Sequence, residues 1–142
     1  MVEFAKKMKY KKLGLCFCIG LSQEAKVVDK ILKDNGFTVI SIICKTGRIP
    51  KENIDIQECQ KIHPEKFEPM CNPVMQAEIL NDAKTDFNIM MGLCVGHDSL
   101  FLKHCNAMTT VFAVKDRLLG HNPLAAIYTN KSYYSFLNDP AS

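Results

Sequence analysis

The stretch LGLCFCIGLSQEAKVVDKILKDNGFTVISIIC, residues 13–44, decides the fold. Its opening, residues 13–19, is apolar without alternation, as in a strand buried on both faces. Ser22 follows as an expected N-cap, with Glu24 in the first turn. Ala25, Val28, Ile31 and Leu32 then recur at helical spacing. Lys30 and Lys33 come late, where the helix dipole favours cations. Asn35-Gly36 ends the helix, since both residues tolerate the left-handed conformation. Residues 37–44 are rich in β-branched side chains and read as a second strand. Strand, helix, strand, with both strands apolar throughout, is a βαβ unit of a parallel sheet.

Downstream, residues 45–72 show no periodicity and contain Gly47, Pro50, Pro64 and Pro69. A loop this long in a small domain is expected to act as a lid or binding loop. Asn72-Pro73 opens a helix to about Ala83, with Asn as cap and Pro in the first helical position. Residues 87–95 form a third apolar strand, and Gly96-His97-Asp98 turns into a short helix reaching His104. Residues 109–114 form a fourth strand, and residues 115–121 a loop. Asn122-Pro123 opens a last helix to Tyr128. Upstream, residues 1–11 hold a short helix with Val2, Phe4, Ala5 and Met8 on one stripe. It begins without a cap, so a truncated amino end is expected. The tail, residues 129–142, is polar and aromatic and expected to pack loosely. Tyr133, Tyr134 and Phe136 within it hint at self-association into a homo-oligomer. The whole, residues 1–142, reads as a single α/β domain. Its expected form is a three-layer αβα, Rossmann-like sandwich whose mainly parallel sheet has about four strands in the order 2-1-3-4.

Composition narrows the function classes. Eighteen Lys and Arg stand against 15 Asp and Glu, a net charge of +3. That is too mild to expect a nucleic-acid partner or an anionic membrane surface. No apolar run approaches the roughly 18 residues of a spanning helix. Lys6, Lys7, Lys9, Lys11 and Lys12 ahead of residues 13–21 imitate the start of a secretory signal, but no small-x-small cleavage site follows. Seven cysteines, an odd number, are spread from position 16 to position 105. Complete internal pairing is impossible, and a reducing cytoplasm is the expected setting.

Ligands of parallel sheets bind outside the carboxyl ends of the strands, near the point where strand order reverses. Cys18 and Cys44 fall at the ends of the first two strands, and Cys94 ends the third with His97 three residues on. Cys71 and His121 each precede an Asn-Pro helix start, where orphan N–H groups favour an anion. Thiolates are the form that binds metal or attacks electrophiles. The expected metal ligands are therefore Cys18, Cys44, Cys71 and Cys94, with His97 or His121 able to replace one. Such a set suits zinc first, and iron or an iron–sulfur cluster less well. No C-x-x-C occurs, so position in the fold carries the expectation rather than spacing. Asp98, Lys115, Asp116, Arg117, Asn72 and Asn122 would form a second shell or an anion-binding rim.

Two rival functions use the same residues. Cys94 or Cys71 with His97 could make a nucleophile–base pair, with Lys115 or Arg117 holding an anionic substrate. A sensor of small anionic ligands would need no chemistry at all. Residues 18–22 hold one Gly before a helix, far from the G-x-G-x-x-G fingerprint, so a dinucleotide is not expected. Buried thiols also pack as small hydrophobes. That competing reading is preferred for Cys16 and Cys105. Cys59, among polar residues, is expected to be an exposed thiol, and His63 and His104 surface residues.

Four segments, FCIGLS (17–22), CNPVMQAEILN (71–81), GLCVGHDSLF (92–101) and VKDR (114–117) with GHNP (120–123), resemble the domain of unknown function 1847 family. The resemblance spans about residues 2–128. This bacterial and archaeal family is often labelled metal-binding. The resemblance implies that the family's motif cysteines fall on Cys18, Cys44, Cys71 and Cys94, and its histidines on His97 and His121. Family members commonly carry a further Cys-rich segment at the amino end, which residues 1–142 lack. A bacterial cytoplasm is the setting expected from the resemblance.

Overall fold

Four short strands lie side by side and parallel in the order β2-β1-β3-β4. β1 is Lys12–Phe17, β2 Thr38–Ile43, β3 Phe87–Met91 and β4 Thr109–Ala113. This is the strand order expected from the sequence. The computed structural model describes residues 1–139. The tail expectation extends to residues 140–142, which lie outside the described residues.

Alternation along the two central strands builds the two faces of the sheet. Leu13, Leu15 and Phe17 of β1, with Phe87, Ile89 and Met91 of β3, pack against Ala25, Val28 and Leu32 of α2 (Ser22–Asp34). Ala5 of α1 (Val2–Lys7) joins this cluster. The opposite face collects Cys16 and Met90 with Ala77 and Leu80 of α3 (Pro73–Asp82) and Phe101 of α4 (His97–His104). Two helical layers therefore enclose one sheet. The strands at the centre are apolar throughout because neither face meets water. Asn88 is the exception on β3, wholly buried with its Oδ1 accepting from Thr85. Gly14 faces it across the pair: a Cβ there would stand 2.2 Å from Asn88 Oδ1.

Local departures from the sequence reading have local causes. Ser22 does not cap α2; a 3-10 turn, Ile19–Leu21, runs straight into the helix, and Leu21 occupies the cap position. β3 stops at Met91 rather than continuing to residue 95, because Gly92 takes φ +61 and turns the chain out of the sheet. Asn72 does cap α3, its Oδ1 accepting from the Met75 N–H at 2.9 Å. In the last helix, α5 (Leu124–Tyr128), Pro123 rather than Asn122 stands in the cap position, with no side-chain capping bond. Beyond it, Tyr133 is 87% exposed, and among the described residues only a 3-10 turn, Ser135–Asn138, is regular.

Residues 45–72 hold two 3-10 turns, Lys51–Ile54 and Glu58–Gln60, and the segment is tied down. Pro50 and Pro69 form an isolated antiparallel bridge. Met70 N–H donates to Ile49 O at 2.8 Å, and Asn72 N–H to Cys44 O at 2.8 Å. Lys61 is buried and pairs with both Glu52 and Glu58, while Lys51 pairs with Glu68. The loop therefore leaves the end of β2 and returns to it, lying over the carboxyl edge of the sheet.

Candidate functional site

The carboxyl ends of β1 and β2 are locked together by one side chain. Gln76, fully buried in the second turn of α3, donates from Nε2 to Ile42 O at 2.8 Å and to Phe17 O at 3.3 Å. The residues that follow these strand ends are Cys18 and Cys44. Cys44 also donates its N–H to Phe17 O at 2.9 Å. The start of α3 supplies Cys71, and the turn between β3 and α4 supplies Cys94, whose carbonyl accepts from the N–H groups of His97 and Asp98.

Four cysteines from four segments thus meet at one rim. The sulfurs of Cys44 and Cys71 are 3.8 Å apart. Cys44 is also hydrogen-bonded with Cys18. Cys44 is buried, and its Sγ accepts the Ile19 N–H at 3.3 Å. Cys18, Cys71 and Cys94 line a cavity of about 370 Å³ above it. Lys115 points its ammonium at Cys18 Sγ, 3.1 Å away. Lys45, next to Cys44 in the chain, donates to Pro69 O at 2.6 Å. Its charge also acts on Cys71.

These neighbours sort the protons. Hydrogen bonding with Cys18 and Cys71, together with burial, pushes the ionisation of Cys44 far up. The bond with Cys44, helped by the Gly20 N–H and the Lys115 ammonium, brings Cys18 down to about 4. Cys71 comes down to about 5, through Cys44 first and then the charges of Lys45 and His97. Cys94 is raised instead, by burial and by the two thiolates beside it. These neighbours therefore favour the thiolate form at Cys18 and Cys71 and the thiol form at Cys44 and Cys94.

The other expected site residues divide cleanly. His97 and Arg117 line the cavity. Asp98 spends its Oδ1 on the N–H groups of Gly96 and Ser99, and so fixes the entry to α4. Asp116 accepts from Leu118 and Leu119 N–H and closes a turn. His121 lies in that turn with φ +65, its Nδ1 accepting the Asp116 N–H at 3.1 Å. It does not line the cavity. Asn72 caps α3, and Asn122 is an exposed turn residue. Cys16 is fully buried and donates to Ile89 O, Cys105 contacts Thr109 Oγ1 at 3.2 Å, and Cys59 is exposed. Among the described residues, no three His, Cys, Asp or Glu side chains already stand as a metal-holding group.

Sequence reasoning missed part of the wall. Lys45, Lys51, Ile54, Ile56, Ile62 and Met70 close the cavity from the long loop. Lys45 was accessible to inference, since it directly follows a strand end. The isoleucines carried no periodicity that would orient them.

Residues 1–112 match the family described as protein of unknown function DUF1847. The chain belongs to the DUF1847 family. A relative in Methanocaldococcus jannaschii, named uncharacterized protein MJ0455, is 52% identical over 134 residues. The match covers 94% of the DUF1847 chain described here and 66% of that relative, so the chain spans just under two thirds of its length. The relative is archaeal, and the bacterial setting expected above finds no support from it. No solved structure matches the chain. Among the described residues, no helix is long and apolar enough to cross a membrane.

Proposed function

We propose that this DUF1847 chain is a binding domain for a soft transition metal, zinc before iron, with Cys18, Cys44, Cys71 and Cys94 as ligands. One observation carries the reading: thiols from four distant segments gather at one sheet edge, two of them 3.8 Å apart. Two thiolates on one zinc ion, each bound at about 2.3 Å in tetrahedral geometry, are themselves about 3.8 Å apart. The donor chemistry fits as well. Four thiolates around a divalent ion leave two negative charges, and Lys115, Lys45 and Arg117 surround the sulfurs with positive ones. Cys18 and Cys94 would complete the set by turning toward the Cys44–Cys71 pair. His97, half-buried on the cavity wall, is the alternative fourth ligand. Bound there, the ion would supply structural closure of the rim and, with an open position, Lewis acidity. Thiol ligands of this kind suit a reducing compartment such as the cytoplasm.

Zinc analysis of protein purified without chelator tests this. We expect about one equivalent per chain, lost in Cys44→Ser and Cys71→Ser and retained in Cys59→Ser. Protein that folds normally and holds no zinc or iron above the Cys71→Ser level would defeat the reading.

A second reading rests on the depressed ionisation of Cys71 beside His97. A thiolate at the cavity wall is a ready nucleophile, and Cys71 suits that role better than Cys94, which burial holds protonated. It predicts metal-free protein in which one thiol alkylates far faster than the rest.

A further inference from the structure

We infer that the cavity over the sulfur cluster is a binding site for a small organic anion, anchored by Arg117. The inference deepens the reading above by naming a ligand class. It rests on the same clustering of cysteines, yet holds with or without a metal ion.

The contacts of the basic side chains around the cavity single out Arg117. The Lys115 ammonium sits 3.1 Å from the Cys18 sulfur. Lys45 donates to Pro69 O at 2.6 Å, and Lys51 is paired with Glu68. Arg117 also lines the cavity, and among the described residues its side chain makes no hydrogen bond or ion pair. Its planar guanidinium suits a carboxylate or phosphate, which it can grip with two parallel hydrogen bonds.

The rest of the wall sets the size and character of the guest. Ile19, Ile54, Ile56, Ile62 and Met70 give an apolar lining around the Arg117 guanidinium. At about 370 Å³ the space is that of a small-molecule site, too small for a macromolecular segment. An anionic head on Arg117 would place an apolar body against the loop, with the Cys71 sulfur within the same cavity. The α4 amino end adds little attraction, since Asp98 already takes the N–H groups of Gly96 and Ser99.

Two alkylating reagents of nearly equal size test this on the full chain, both as purified and after chelation under reducing conditions. Iodoacetate carries a carboxylate and iodoacetamide does not. Rates are read separately at Cys71 and at exposed Cys59 by peptide mass. We expect the iodoacetate-to-iodoacetamide rate ratio to be at least about tenfold higher at Cys71 than at Cys59 in the chelated protein. Arg117→Gln should bring the two ratios together. If that variant does not fold, sulfate replacing chloride at constant ionic strength should slow iodoacetate at Cys71 in the native chain and leave iodoacetamide unchanged. Equal ratios at the two cysteines, a preference that survives Arg117→Gln or ignores sulfate, or a Cys71 that neither reagent reaches would each overturn the inference. Metal absent with the preference intact removes the metal reading alone; metal present without the preference removes this one alone.

Discussion

Cys44 is the pivot of the sulfur cluster because it is buried, is hydrogen-bonded with both Cys18 and Cys71, and does not line the cavity. Its backbone is held by Phe17 and Asn72, and its sulfur by the Ile19 N–H. Burial and hydrogen bonding with Cys18 and Cys71 keep the proton on Cys44. The consequence is legible in the reactivity of Cys71. A free thiol ionises near 8.5, so its alkylation falls steadily below that pH. Cys71 is brought down to about 5, so its iodoacetamide rate should stay level from about pH 8 to pH 6 and fall as pH drops through 5. In Cys44→Ala the midpoint should rise toward that of a free thiol, since the main hydrogen bond is gone and only the charges of Lys45 and His97 remain. A midpoint unchanged by Cys44→Ala would show that the bond does not govern Cys71.

At the scale of elements, the turn after β3 decides where Cys94 and His97 arrive. Gly92 sits at φ +61, and a Cβ there would lie 2.2 Å from Leu21 Cδ1. Both the conformation and the space require glycine. Gly92→Ala should therefore destabilise the fold by about 1–3 kcal/mol, measured by urea unfolding. A variant as stable as the parent would mean that the turn relaxes freely. Sequence reading placed this element well but ran the strand four residues too far. Leu93 is as apolar as any residue of β3, and apolarity does not report the sign of φ. Ser22 was misread for a related reason: a good capping residue is also acceptable inside the first turn, and here the preceding 3-10 turn moved the start of the helix. The loop over residues 45–72 was recognised by its prolines and its lack of period. The pairing of Lys61 with Glu52 and Glu58 depends on its folded path, which no local pattern records.

The whole molecule explains why so much of the site could be read in advance. A parallel sheet sends every strand end to the same rim, so the strand-end residues Cys18, Cys44 and Cys94 had to become neighbours once the strands were recognised. Cys71 came with them because the start of α3 returns to the end of β2 through the Asn72–Cys44 hydrogen bond. His121 had no such constraint. It lies in the turn after β4, the sheet edge farthest from β2, and that turn uses its Nδ1. The apolar lid was equally hidden, since a loop's inward face is chosen by what it covers.

The central claim is that these four sulfurs act together on one ion. Cobalt(II) titration of the reduced full chain, followed by its thiolate-to-cobalt charge-transfer absorption, addresses it most directly. The account predicts saturation at about one equivalent per chain, with the band weakened by Ser at position 18, 44, 71 or 94 and unaltered by Cys16→Ser or Cys59→Ser. A band that is absent, or that is lost no more readily from Cys71→Ser than from Cys59→Ser, would contradict it.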